Sequence, residues 1–164
     1  MLKILQAINN FINEIILWLA TTIIAVIVLA LFLSAFTRYV SGIGYDWFIE
    51  LPPVLTSWLV FPLLGPLLIK GKHIKVDFIS SYIGELSKSV LRLFVALIAL
   101  LSGIIFFKAG VEATMLYFNL GQKMELEIDI PIWWMYLAFP TGFFILILFS
   151  LQMICEEINI IRKA

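Results

Sequence analysis

The chain has 164 residues, of which 63% are hydrophobic and 13% charged, with a mean hydropathy of +1.09. A soluble domain carries about a quarter charged residues, so a purely aqueous globule is excluded and lipid is part of the solvent. Net charge is zero, which leaves no basic footprint for nucleic acid, and the single cysteine, Cys155, excludes an internal disulfide or a CxxC redox pair.

The first element is an amphipathic stretch, Leu2 to Asn13, that leads into a run of 23 uncharged residues between Glu14 and Arg38. A crossing of a hydrocarbon core about 30 Å thick takes about 20 helical residues. The N-terminus lacks a signal peptide's features: Lys3 is its one early charge, and the apolar run is too long. This first helix, 15–37, is therefore expected to stay.

The second crossing, 51–69, lies in the 19 uncharged residues between Glu50 and Lys70. Pro52 and Pro53 suit a helix start. Pro62 and Pro66 lie inside, where each removes a backbone hydrogen bond and favours a kink. Gly65 allows close approach of another helix.

Lys70-Gly71-Lys72-His73-Ile74-Lys75 follows, with the only histidine. Next comes a stripe of Ile79, Tyr82, Ile83, Leu86 and Val90, opposite Asp77, Ser80, Ser81, Glu85 and Lys88. That spacing predicts an amphipathic helix over about 76–90, lying in the membrane interface. The other reading makes it an N-terminal extension of the third crossing.

The third crossing has only 15 uncharged residues, between Arg92 and Lys108, and these two can snorkel from its ends. It is expected to run over 91–115, with Lys108 and Glu112 paired at i,i+4. An outer loop then alternates apolar and acidic residues through Glu125, Glu127 and Asp129. Pro131 starts the fourth crossing, 131–155, with Trp133, Trp134 and Tyr136 as an interfacial belt. Trp18, Trp47 and Trp58 read as anchors or packing residues.

The fold class is all-α: four transmembrane helices plus an interfacial helix between the second and third, in one membrane domain. With four crossings, both termini and the middle loop share one side. That side holds eight of the eleven lysines and arginines, which places it in the cytoplasm.

The chemistry of a self-sufficient carrier is missing. No uncharged run has an ionisable group at its centre, as ion-coupled transport would need. His73 alone cannot make a bis-histidine haem, and no metal cluster, P-loop or nucleophile triad is present. Two readings of another class remain: a homodimeric four-helix exporter using Glu14 as its membrane carboxylate, and a haem- or quinone-binding anchor of a respiratory enzyme.

Several short elements recur in order along the chain. Arg38-Tyr39 is followed by Trp47, Glu50-Leu51, Trp58 and Gly65, then by Gly71-Lys72-His73-Ile74-Lys75-Val76-Asp77. Gly121, Ile130-Pro131-Ile132-Trp133-Trp134-Met135-Tyr136, Pro140 and Gly142 complete the set. Over nearly its whole length the chain resembles the small membrane subunit (DctQ-like) of the tripartite ATP-independent periplasmic, or TRAP, transporters. It departs in the number of prolines in the second crossing.

The resemblance implies a bacterial inner-membrane importer of organic acids driven by a sodium gradient. A periplasmic binding protein captures substrate, and a large membrane subunit carries the substrate and sodium sites. The small subunit, without cofactor or transport site, packs on the large one and helps dock the binding protein. On this resemblance Arg38, Glu50, Trp58, His73 and Asp77 hold loop geometry or touch the large subunit, and Asp46, Glu50, Glu125, Glu127 and Asp129 face the binding protein. The interfacial helix would brace the scaffold.

Overall fold

The computed structural model describes residues 2–70, 85–124 and 129–163. They form α1 (Leu2–Ser41), α2 (Trp47–Ile69), α3 (Glu85–Leu120), a short α4 (Ile132–Tyr136) and α5 (Ala138–Lys163). Four spans, Ile4–Ser41, Trp47–Ile69, Leu86–Leu120 and Ile132–Arg162, are long and apolar enough to cross a membrane. Among the described residues there is no strand, only an isolated bridge between Lys123 and Pro131.

The amphipathic start and the first uncharged run join in one 40-residue helix, about 60 Å long at 1.5 Å per residue. Gly42 ends it with φ +69 and an N–H that donates to the Arg38 carbonyl at 3.2 Å, the left-handed glycine stop of a helix C-terminus. Gly121 ends α3 in the same way, with φ +61 and a bond to the Phe118 carbonyl.

Helix α2 runs unbroken through Pro62 and Pro66. The expected interfacial helix falls mostly outside the described residues. Its last part, Glu85 to Val90, is helical and continuous with the third crossing in α3. The fourth crossing is two pieces with a break at Leu137. Pro140 has no N–H for the Tyr136 carbonyl, the missing rung that separates α4 from α5.

Helix α5 is the centre. Helix α3 packs along one side of it and α2 along another, while α1 lies against α2 and meets α5 less extensively. Helices α1 and α3 share no substantial packed interface, so the helices form an open row, α3–α5–α2–α1, rather than a closed bundle.

In lipid, helices associate through close packing rather than hydrophobic transfer, and glycines provide that closeness here. Gly142 of α5 lies against the backbone of Phe61, where a Cβ would collide. Gly110 of α3 lies against Pro140, with a Cβ position 3.1 Å away. The buried face of α1 is a stripe of Asn9, Ile16, Ala20, Ile23, Ala30 and Ser34, whose spacing of three, four and seven is one side of a helix.

The open row leaves unequal exposure. Within its most apolar window α5 is 44% buried by the rest of the chain, and α3 only 11%.

Candidate interaction surfaces

A polar seam joins α1 to α5 near the two chain ends. Asn9, fully buried, donates through Nδ2 to Gln152 Oε1 at 2.6 Å and to the Leu148 carbonyl at 3.2 Å. Gln6 and Gln152 both donate to Glu156 Oε1, at 2.9 and 2.8 Å. On the other side of α5, Arg92 of α3 pairs with the buried Glu157 at 3.5 Å. These contacts place both chain ends at the same end of the molecule.

At the opposite end aromatic rings take over. Trp58 donates its indole N–H to the Trp134 carbonyl at 3.2 Å, with ring centroids 5.6 Å apart. Tyr117 stacks on Tyr136 at 4.3 Å, and Phe118 meets Trp133 edge-on. A ladder continues inward from Tyr136 through Phe139, Phe61 and Phe143 to Phe106. Trp133, Trp134 and Tyr136 are thus packing residues where α4 meets α2 and α3.

The residues singled out in the sequence separate into groups. Arg38 closes α1, and its guanidinium lies against Gly44, 3.0 Å from where a Cβ would stand. Asp46 occupies the N-cap of α2 without a side-chain cap bond, and its carbonyl accepts from the Ile49 and Glu50 N–H groups. Glu50 is half-buried in the first turn. Trp58 is committed within the chain, to Trp134.

Asp129 is exposed and pairs with Lys123 at 2.9 Å. Beside it Met124 N–H donates to Ile130 O, and Ile132 N–H to Gln122 O. These bonds join the two described flanks of the outer loop, residues 122–124 and 130–132. His73, Asp77, Glu125 and Glu127 lie outside the described residues. Among the described residues no group of three or more His, Cys, Asp or Glu could hold a metal ion.

Two features escaped the sequence reading. One is the polar seam, whose signal was available: Gln6, Asn9 and Asn13 recur at helical spacing on one side of the amphipathic start, and Gln152 and Glu156 are four apart. The other is the exposed pair Lys108–Glu112, at 3.9 Å with side chains 81% and 69% exposed. The i,i+4 pairing was expected, but not its exposure on a face that the other described helices leave open.

Fold and surface together define a four-span integral membrane protein with large apolar faces left open by its own helices. Residues 27–159 match the family described as "Tripartite ATP-independent periplasmic transporters, DctQ component". The chain belongs to that family: it is the small membrane component of a TRAP transporter, a transporter part and not an enzyme. No curated protein matches its sequence.

Proposed function

We propose that this chain is the fixed scaffold subunit of a sodium-coupled, binding-protein-dependent importer of organic acids in the bacterial inner membrane. It packs on the large transport subunit, stabilises it, and helps dock the periplasmic binding protein. The observation that carries this reading is the open helix row: the long apolar helices α1 and α3 offer wide faces that the chain does not cover. Family membership supplies the other two components. Sodium coupling and the organic-acid class rest on the family resemblance.

The test is purification of the tagged chain, expressed from its native operon in mild detergent. A stoichiometric larger membrane polypeptide is expected, followed by uptake of an organic acid that needs the binding protein and an inward sodium gradient. A homodimer without a partner would overturn the reading and return attention to Glu14. Under the scaffold reading Glu14→Gln leaves uptake nearly unchanged, whereas an exporter that protonates this carboxylate loses its activity.

The excess of lysine and arginine at the end holding both chain termini supports a cytoplasmic location for that end. A C-terminal fusion to a reporter active only in the cytoplasm is expected to be active. For docking, the charges proposed are Asp46 and Glu50 at the start of α2 and Asp129, together with Glu125 and Glu127, which precede Asp129 in the sequence. Glu125→Ser, Glu127→Ser and Asp129→Ser together are expected to weaken uptake when binding protein is limiting and to spare it at saturation. Unchanged uptake at every concentration would remove that role.

A further inference from the structure

The depth of Lys108 follows from α2. Glu50 and Lys70 are 20 residues apart, about 30 Å of helix, which matches the hydrocarbon core and leaves α2 little freedom to slide. Phe61 stands near the middle of that interval. Its ring lies 3.9 Å from Phe139 and 6.0 Å from Phe143, and its backbone touches Gly142. On the far side of α5, Phe106 stacks on Phe143 at 5.1 Å and Gly110 lies against Pro140. Lys108, between Phe106 and Gly110, is therefore near the bilayer midplane. The belt agrees: Phe118 meets Trp133 ten residues further along α3, about 15 Å outward.

Helix α3 turns this pair away from the rest of the chain. Leu101, Ile104, Ile105, Lys108, Glu112 and Met115 form one stripe, its apolar members all more than half exposed. The within-helix contact at 3.9 Å engages a small part of the donors and acceptors that an ammonium and a carboxylate carry. Lipid tails offer nothing to the remainder. A polar protein surface at the same depth does.

We propose that this α3 stripe is the seat of the large membrane subunit, which places polar or oppositely charged groups against Lys108 and Glu112 inside the membrane. The inference rests on the scaffold reading above and adds to it a face and an anchor. The large subunit is favoured over a second copy of this chain because family membership already implies a larger membrane component; a copy related by a two-fold axis along the membrane normal is the competing outcome of the test.

The test uses the intact transporter in native membranes, with a photo-crosslinking residue at Ile105 or Met115 and all charges retained. Adducts with the large subunit are expected from both positions. In a second arm, Lys108→Leu with Glu112→Leu is expected to lower the co-purified large subunit about three- to tenfold, the effect of lost polar contacts between membrane helices. Adducts only to lipid or to a second copy, or undiminished co-purification of the Leu variant, would overturn the proposal. If the unmodified chain brings down the large subunit in that experiment, the scaffold reading survives and only the face is wrong. If it brings none, both fall.

Discussion

Gly142 has no room for a side chain, because the obstacle is the Phe61 backbone. Gly103 differs: its nearest neighbour is a side-chain atom, Ile147 Cγ1, 3.0 Å from the Cβ position, rather than a backbone. Gly142→Ala should therefore separate α2 from α5 and cost about 1–3 kcal/mol, the usual penalty of overpacking, while Gly103→Ala, which asks only a side chain to shift, costs less. Thermal unfolding of the two variants in one detergent separates them, and equal Tm shifts would contradict the contact. Asn9 makes a second residue-scale case. Asn9→Leu strands the Gln152 oxygen, at about 1–3 kcal/mol for a buried group left unmade, while the Leu148 carbonyl keeps its helical bond within α5. Adding Gln152→Leu should recover part of that loss, because both partners are then apolar. A double-mutant cycle on Tm or denaturant midpoint measures the coupling.

At the scale of elements, Arg92 ties α3 to α5 through Glu157, whose side chain is only 7% exposed. Removing the arginine leaves a buried carboxylate alone, which is worse than removing both groups. Arg92→Met should destabilise by about 1–2 kcal/mol, reduced from the fully buried case because the arginine is half exposed. The Arg92→Met, Glu157→Gln double variant should be closer to wild type, read as the order of unfolding midpoints of the two variants. The four crossings were legible in the sequence because each is a charge-free run bounded by charges. The helix stops at Gly42 and Gly121 follow glycine's ease at positive φ. Other features depend on which helices meet. The unbroken α1 forms because its amphipathic start has α5 to lie against through Asn9 and Gln152. The break before α5 comes from Pro140, read in the sequence as a marker of resemblance rather than as a missing N–H. The depth of Lys108 needed the register between α3, α5 and α2, set by contacts at Gly110, Phe106, Phe143 and Phe61 that no single-helix pattern encodes. Counted along its own helix, Lys108 bounds the uncharged run; measured against α2, it lies near the middle of the membrane.

At the scale of the whole molecule, the two ends differ in kind. The end with both termini is fastened by side-chain hydrogen bonds and an ion pair. The other end is fastened by rings and carries the acidic loop. A loop that steers a binding protein acts through its field, and that field is set by ionic strength. The Debye length falls from about 30 Å at 0.01 M to about 8 Å at physiological salt, so uptake at limiting binding protein should weaken as salt rises at fixed sodium, with choline chloride as the variable. The Glu125→Ser, Glu127→Ser, Asp129→Ser variant should show a flatter dependence, since rim charges govern encounter more than the final complex. Asp129→Ser alone should flatten it least. Its carboxylate is already paired with Lys123 at 2.9 Å and adds little to the far field. Parallel salt curves for wild type and triple variant would mean that the acidic loop does not steer docking, and would leave Asp46 and Glu50 at the start of α2 as the charges to vary next.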